Sequence, residues 1–257
     1  MRVLILGGTT EASELTRLLA SDPRFETTVS LAGRTANPKV QPVRTRIGGF
    51  GGVDGLVAWL AQEKIQAVID ATHPYADQIS ANAVAACDRL ALPLASIMRP
   101  AWQAQVGDDW REVASADVAV DALGPVPRNV FLSLGRLELG AFANAPHHHY
   151  VARTIDPPGD VALPPDIRLL FGRGPFDREA ETSLLTREKI DVLVSKNSGG
   201  AATYAKIEAA RALRVPVVMI ARPDKPHGHP LASAEEALIW LEQRLAHRAV
   251  SCSARGV

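Results

Sequence analysis

The chain has 257 residues, of which 47% are hydrophobic and 22% are charged, a composition typical of a globular protein and too apolar for a disordered one. The 28 Lys and Arg residues balance 28 Asp and Glu residues, so no global field attracts nucleic acid or an anionic membrane. The longest apolar runs, such as residues 215–221, are shorter than the roughly 18–20 residues that span a bilayer. Cys87 and Cys252 lack metal-ligand spacing, and residue 1 leads directly into an apolar run. We therefore expect free thiols, no metal site and a cytoplasmic protein.

Short β-branched runs alternate with amphipathic helical patterns along the whole chain, which favours parallel sheets covered by helices. The first series of predicted strands is Arg2–Gly7, Thr27–Ala32, Thr45–Ile47, Ala67–Ala71 and Pro93–Met98. The second series is Asn129–Leu134, Tyr150–Thr154, Arg168–Phe171, Asp191–Ser195 and Val215–Ala221. Helices are predicted over Ala201–Leu213 and Ala234–Ala246.

Two prolines and a glycine in residues 122–128 separate a predicted helix from a new strand, which is typical of a linker. We therefore predict an α/β protein with two Rossmann-like lobes, parallel sheets and a ligand cleft between the lobes. The predicted lobes are residues 1–124 and 125–250, followed by a flexible tail at 251–257.

The first turn reads Gly7-Gly-Thr-Thr-Glu-Ala12, between a hydrophobic strand and a helix. Compared with the dinucleotide pattern G-x-G-x-x-G/A, Gly7 and Ala12 fit the first and third positions, and Thr9 replaces the second glycine. N–H groups at the positive end of the helix are suited to a pyrophosphate. The alternative is an ordinary turn with Thr10 as the N-cap. We predict that the nucleotide contacts Gly8, Thr9, Thr10 and Glu11.

The end of the second predicted strand indicates which nucleotide binds. NAD enzymes usually carry Asp or Glu here, whereas a nearby Arg accommodates the 2′-phosphate of NADP. This strand leads into Gly33-Arg34-Thr35, which contains no acidic residue. We therefore predict that Arg34 and Thr35 bind NADPH. The alternative is an arginine that is solvated in a loop.

A glycine-rich segment, Gly48-Gly-Phe-Gly-Gly52, follows the third predicted strand. Such a backbone can lie flat against a ligand. We place Gly49, Phe50 and Gly51 near the adenine or its ribose. A flexible loop without a ligand is the alternative.

Polar residues cluster after the fourth predicted strand, in Asp70-Ala-Thr-His-Pro-Tyr-Ala76. In a sheet of strand order 3-2-1-4, strands one and four flank the switch point at which ligands bind. We predict that Thr72 and His73 contact the cofactor and that His73 and Tyr75 are catalytic. His73 is the predicted proton donor, because imidazole donates a proton near neutral pH. The alternatives are helix capping by Thr72 or Asp77 and a proton supplied by water.

In the second lobe, Ser195-Lys-Asn-Ser-Gly-Gly200 delivers a cation and several small donors to a loop before a helix, an arrangement suited to an anion. Arginine also stands beside glycine in residues 133–136 and 171–175. A glycine-rich turn capped by Ser198 is the alternative. We predict that Lys196 is catalytic through orienting an anionic substrate. The predicted substrate-binding residues are Arg99, Arg136, Lys196, Asn197, Ser198 and Gly199.

Other motifs are excluded or weak. His147–His149 and His227–His229 have no partner spacing for a metal, so solvated loops are favoured. Tyr204 and Lys206 are too close to form the Tyr-x-x-x-Lys pair of short-chain dehydrogenases. No G-x-x-x-x-G-K-[ST] loop is present, which argues against an NTPase.

Taken together, the order and spacing of these segments over about residues 1–247 resemble the family of precorrin-6A and cobalt-precorrin-6A reductases in cobalamin biosynthesis. The segments that carry the resemblance are Gly7–Ala12, Ala32–Arg34, Gly48–Gly51, Asp70–Ala76 and Ser195–Gly200. The resemblance implies NADPH-dependent reduction of one macrocycle C=C bond, from precorrin-6A to precorrin-6B. The resemblance further implies that a hydride is transferred to carbon C19 of the macrocycle and a proton to the neighbouring carbon, and that the protein needs neither a flavin nor a metal. It also implies transient contacts with other enzymes of the pathway.

The predicted residues fit that chemistry. A ring with many carboxylates explains arginines and lysines around a site in a chain without net charge. The first lobe would then bind NADP(H) and the second would bind the tetrapyrrole. Two alternatives stay open: an NADP-dependent reductase of another polyanionic metabolite, and a non-catalytic module that binds tetrapyrrole or nucleotide.

Overall fold

The computed structural model describes residues 1–33, 35 and 38–253, with side chains as far as residue 247. The strands are β1 (Arg2–Leu6), β2 (Glu26–Leu31), β3 (Arg44–Ile47), β4 (Ala67–Asp70), β5 (Leu94–Ile97), β6 (Trp110–Val113), β7 (Asn129–Ser133), β8 (His149–Thr154), β9 (Ile167–Phe171), β10 (Val192–Lys196), β11 (Val217–Ile220) and β12 (His229–Leu231). The α-helices are α1 (Thr10–Ala20), α2 (Gly52–Gln62), α3 (Asp77–Leu90), α4 (Ala116–Leu123), α5 (Arg178–Arg187), α6 (Ala205–Leu213) and α7 (Ala234–Ser253). Short 3₁₀ helices lie at Arg136–Asn144 and Ala201–Thr203.

The first sheet has the strand order β12-β5-β4-β1-β2-β3, and every pair in it is parallel. The predicted order 3-2-1-4 of its first four strands is therefore confirmed. Residues 3–6 of β1 are completely apolar and buried, as expected for a parallel strand with helices on both faces. Leu15 of α1 and Leu241 of α7 pack in one core cluster with Ile5.

The second sheet repeats the arrangement with the order β6-β11-β10-β7-β8-β9, again with parallel pairs. Here β7 and β10 are the central neighbours, as β1 and β4 are in the first sheet. The prediction of two Rossmann-like α/β lobes with parallel sheets is confirmed.

The lobe boundary differs from the predicted one near residue 124. The chain forms one unit from residues 1–100 and 224–257 and a second from residues 101–223. Residues 101–124 belong to the second unit because β6 pairs with β11, and the chain returns to the first because β12 pairs with β5. Each sheet thus has an edge strand at a crossing of the chain: β6 follows β5 of the first unit, and β12 follows β11 of the second.

All ten predicted strands are present, with ends within two residues of those predicted, whereas β6 and β12 were not predicted. Both missed strands are short and lie at sheet edges, and β12 contains Pro230, a residue that sheets tolerate at edges. Helix α7 extends to Ser253, so residues 251–253 of the predicted flexible tail are helical. No helix among the described residues has the length and apolarity needed to cross a membrane.

Candidate functional site

The turn after β1 holds α1 close to the sheet. A Cβ atom on Gly7 would lie 2.8 Å from Cγ2 of Val29, so only glycine fits there without a shift. Gly8 has a φ of +119°, and a Cβ atom on it would meet nothing within 4 Å. The backbone at Gly8 is therefore open to a ligand, as the nucleotide-binding prediction requires.

Thr9, rather than Thr10, is the N-cap of α1. Its Oγ1 accepts a hydrogen bond from the N–H of Ala12 at 3.1 Å and donates one to the carbonyl of Ala71 at 2.7 Å. Thr9 has an extended backbone (φ −118°, ψ 172°), as N-caps require. The second bond joins the turn after β1 to the segment after β4, so the two loops of the switch point are in direct contact.

Glu11, in the first turn of α1, forms an ion pair with Arg99, which follows β5. The Arg99 Nη1 lies 2.9 and 3.1 Å from the two carboxylate oxygens. Burial of Glu11 acts to raise its pKa, but hydrogen bonds from its own backbone and from Arg99, together with the Arg99 charge, hold the pKa below its usual value. The carboxylate is thus ionised and compensated, so it does not make the helix terminus repulsive to an anion.

The glycine-rich loop between β3 and α2 is held by Arg46, which was not among the predicted site residues. Its guanidinium donates hydrogen bonds to the carbonyls of Gly48 and Gly49 and stacks on the Phe50 ring, with 3.8 Å between the guanidinium carbon and the ring centroid. Phe50 also packs edge-on against Trp59. Hypothetical Cβ atoms on the glycines at 48, 49 and 51 meet nothing within 4 Å, so this backbone is open on one side.

A buried polar cluster lies at the carboxyl end of β4. Asp70 is 1% exposed, and its Oδ1 accepts hydrogen bonds from the Thr72 N–H and hydroxyl at 3.0 and 2.7 Å. Its Oδ2 accepts from the Ser80 hydroxyl at 2.5 Å and lies 3.4 Å from the Lys225 ammonium. The cluster therefore provides hydrogen-bond donors and a cation for a buried carboxylate at the switch point.

His73 and Tyr75, the two predicted catalytic residues of this loop, lie side by side with ring centroids 5.6 Å apart. The backbone N–H of Tyr75 donates to Nδ1 of His73 at 3.4 Å. In the neutral imidazole this bond assigns the acceptor role to Nδ1 and the proton to Nε2.

In the second unit, Lys196 ends β10 beside β7, at the switch point of that sheet. Its ammonium donates a hydrogen bond to the carboxylate of Glu138, in the 3₁₀ helix that follows β7. The side chains of Lys196 and Glu138 are 17% and 29% exposed, so both reach the surface. The predicted substrate-binding lysine has an internal acidic partner.

Asn197 and Ser198, the next two predicted residues, are buried. The Asn197 amide accepts from the Trp102 N–H at 2.7 Å and donates to the Trp102 carbonyl at 2.9 Å. The Ser198 hydroxyl lies 3.3 Å from that of Thr203. Both side chains thus make contacts within the unit, and their roles in substrate binding stay predictions.

A pocket of about 600 Å³ opens beside this loop. Gly199, Trp102, Tyr204, Phe176 and Arg178 contribute to its lining. The aromatic walls suit the face of a large ring, whereas Asp177 and Glu208 outnumber Arg178 in the lining and do not favour the carboxylates of such a ring.

Sequence and structure comparisons identify relatives of this chain. The family model described as "Precorrin-6x reductase CbiJ/CobK" matches residues 2–242. A precorrin-6A reductase from Sinorhizobium sp. is 49% identical over 246 residues, which are 96% of this chain and 93% of that protein. One from Rhodobacter capsulatus is 49% identical over 240 residues, covering 93% of this chain and 95% of the relative. A solved structure of CobK precorrin-6A reductase is 49% identical and superposes with a TM-score of 0.89, covering 95% of this chain and 97% of that one.

The chain belongs to the precorrin-6x reductase family. This confirms the resemblance inferred from the motifs and makes the chain an oxidoreductase of cobalamin biosynthesis.

In this structure, the predicted residues of the first unit lie at the carboxyl ends of the strands of its sheet. Gly8, Thr9 and Glu11 follow β1, the loop with Thr72, His73 and Tyr75 follows β4, and Arg99 follows β5. Thr35 is half-buried after β2, whereas Arg34 lies outside the described residues. In the second unit, Arg136 is half-buried, with Nη1 at 3.5 Å from the Pro157 carbonyl.

Four residues of these sites were missed by sequence reasoning: Arg46, Ser80, Glu138 and Lys225. Arg46 lies in a short strand in which only Ile47 is apolar, and Ser80 lies one turn into a helix, so neither has a motif. Lys225 stands between prolines in a segment that looks like a loop. Glu138 and Lys225 have partners 58 and 153 residues away along the chain, which sequence spacing does not reveal.

Proposed function

We propose that this chain uses NADPH to reduce one C=C bond of precorrin-6A, giving precorrin-6B. The observation that carries the proposal is the 49% identity, over almost the whole of both chains, to a solved precorrin-6A reductase of the same fold. The superposition covers 95% of this chain and 97% of the solved one, which supports a shared activity.

The residues of the first unit fit a dinucleotide. Open glycine backbone stands at the N-terminus of α1 and between β3 and α2, where the pyrophosphate and the adenosine would lie. The Glu11–Arg99 pair keeps the helix terminus free of an uncompensated negative charge. We assign the 2′-phosphate to Arg34 and Thr35, at the end of β2.

The second unit would bind the carboxylates of the macrocycle. Lys196 presents an ammonium at the switch point of its sheet, with the backbone of Gly199 nearby in the loop. A carboxylate that replaces Glu138 as the partner of Lys196 would gain a charge-assisted hydrogen bond. The substrate's acetate and propionate groups supply such carboxylates.

NADPH, when bound, supplies the hydride of the reduction. The chain's own contribution is to bind both reactants, to exclude water and to supply a proton. We assign that proton to His73, which lies beside Tyr75 in the loop after β4, because a protonated imidazole donates a proton near neutral pH. In that form Nδ1 carries a proton, so its contact with the Tyr75 N–H is given up.

The test is incubation of the purified protein with NADPH and precorrin-6A, following the nicotinamide and macrocycle absorbance together. We expect NADPH oxidation and macrocycle reduction in equal amounts, with NADH much less effective. Binding of both ligands without oxidation would contradict the proposal and favour a non-catalytic binding module. Oxidation with NADH at the same efficiency would contradict the cofactor assignment alone.

A further inference from the structure

Lys225 is part of the polar cluster at the carboxyl end of β4, although it lies more than 150 residues further along the chain. Its ammonium donates a hydrogen bond to the Thr72 hydroxyl at 2.9 Å and lies 3.4 Å from Oδ2 of Asp70. The Lys225 side chain is 13% exposed, so the ammonium is withdrawn from bulk water but not sealed off.

The backbone around Lys225 is fixed by the first sheet. The N–H of Gly228 donates to the Ser96 hydroxyl at 3.0 Å, and a Cβ atom on Gly228 would lie 2.3 Å from the Leu94 carbonyl oxygen. From residue 229 onward the chain pairs with β5 as strand β12. The lysine therefore approaches β4 from an anchored segment, which limits the positions its ammonium can take.

An ammonium group has three N–H donors. Among the described residues, two oxygens lie beside the Lys225 ammonium: Thr72 Oγ1, which accepts a hydrogen bond, and Asp70 Oδ2, which forms an ion pair with it. One donor is thus left for a ligand at the switch point. Since Asp70 neutralises the lysine charge, this donor is suited to a neutral oxygen such as a hydroxyl or a carboxamide carbonyl, rather than to a carboxylate anchor.

The order of the sheet indicates which part of the cofactor lies there. The nucleotide's pyrophosphate belongs at the turn after β1, and its adenosine belongs on the side of β2 and β3, where Arg34 follows β2. The other half then extends over β4, the side from which Lys225 comes. We propose that Lys225 is a cofactor-binding residue that donates a hydrogen bond to the ribose hydroxyl or carboxamide oxygen of the nicotinamide half of NADPH. This inference rests on the proposed function, because it requires that the first unit binds NADPH.

Calorimetric titration of Lys225→Met tests the inference without any turnover. Two ligands are compared: NADPH, and adenosine 2′,5′-bisphosphate, which lacks the nicotinamide half. We expect the variant to bind NADPH about tenfold more weakly or worse, as for loss of a hydrogen bond to a charged donor, with unchanged affinity for the bisphosphate. Lys64→Met, an exposed lysine near the amino end of β4, is the matched control and should bind both ligands normally.

Removal of Lys225 leaves Asp70 without its cation, so a second variant separates binding from charge balance. In Asp70→Asn/Lys225→Met the carboxylate and the ammonium are lost together. If NADPH binding stays weak there while bisphosphate binding is normal, Lys225 contacts the cofactor. Recovery of NADPH affinity in the double variant, or equal loss of both ligands in the single one, overturns the inference. Failure of the unaltered protein to bind NADPH would instead overturn the proposed function.

Discussion

The Lys196 ammonium donates a hydrogen bond to the carboxylate of Glu138, joining the end of β10 to the 3₁₀ helix after β7. Both side chains are only partly buried, so an incoming carboxylate can reach the lysine. A substrate carboxylate that binds Lys196 must compete with Glu138 for the same N–H donors. The internal ion pair therefore lowers the affinity that Lys196 alone would provide.

This competition predicts opposite effects for two substitutions. Lys196→Met should weaken binding of precorrin-6A by about tenfold or more, the usual cost of a hydrogen bond to a charged group. Glu138→Gln should strengthen binding, because glutamine competes less well for the ammonium. Both variants should bind NADPH normally in the same titrations. The control is Lys189→Met, an exposed lysine before β10.

Weaker substrate binding by Glu138→Gln would contradict the competition. It would indicate that Glu138 holds the Lys196 ammonium in the orientation that binds the substrate carboxylate.

A second prediction concerns the proton. If a protonated imidazole at His73 donates the proton, His73→Ala should lower the single-turnover rate and flatten its pH dependence, because the titrating group is gone. General acid catalysis contributes about a hundredfold or more, so the expected loss of rate is of that order. The rate is measured by stopped-flow absorbance at saturating NADPH, with NADPH affinity determined separately.

The control for the His73 variant is His229→Ala, which removes an exposed imidazole from the same unit. An unchanged rate and pH profile in His73→Ala would exclude His73 from proton transfer. The proton would then come from water or from another side chain.

The third prediction is cofactor choice. Arg34 lies outside the described residues, so its role depends on its place after β2 in the sequence. Arg34→Ala should weaken NADPH binding by about 10- to 150-fold, the range expected for a hydrogen bond to a charged group. NADH binding should change little. Equal losses for the two cofactors in a fluorescence titration would refute a contact with the 2′-phosphate.

The parts of the fold set by local pattern were predictable from sequence. Residues 3–6 form a continuous apolar run, and Leu15 and Leu19 follow at helical spacing, so β1, α1 and the turn between them were all recognised. The order of β4, β1, β2 and β3 followed from the general topology of such sheets. Propensity and periodicity decide these features within a few residues of chain.

The two crossings of the chain between units were not predictable in the same way. Strand β12 has only the residues His229–Leu231, and its place beside β5 depends on pairing across more than 130 residues. The proline- and glycine-rich segment near residue 124 looked like a linker, but it lies inside the second unit as the connection from α4 to β7. Local composition predicts a turn there and contains no information on which sheet the neighbouring strands join.

The candidate site residues likewise differ in whether local sequence or long-range contacts decide their role. Polar residues at strand ends were predicted as ligand contacts, and for Thr72 and Lys196 this stays a prediction. Asn197 has the same sequence signature, yet its amide binds the backbone of Trp102, 95 residues earlier. A polar residue at a strand end can bind a ligand or anchor another segment, and only its three-dimensional partners distinguish these roles.

The last prediction concerns Lys206, a buried lysine of helix α6 in the second unit. Lys206 is 4% exposed, with its Nζ 5.1 Å from the centre of the Trp102 ring. It lies near the ion pair of Arg153 and Glu181, side chains that are 11% and 1% exposed. Burial, and then repulsion from Arg153, lower the pKa of Lys206 to about 7, although Glu181 acts to raise it. The unfolded chain keeps the ordinary pKa of 10.5.

Between pH 7 and pH 10.5 the unfolded chain therefore binds a proton that the folded protein has lost. Stability should rise with pH across this window, by up to about 1.4 kcal/mol per pH unit from this group, and the contribution should be constant below it. Lys206→Met removes the titrating amine, so the variant should be more stable than the unaltered protein at pH 6 and should lack this rise. Urea unfolding at pH 6 and pH 9, with Lys189→Met as an exposed-lysine control, measures both effects. If the free energy of unfolding of Lys206→Met rose with pH as steeply as that of the control, Lys206 would have to remain charged in the folded protein, stabilised by Glu181 and the Trp102 ring.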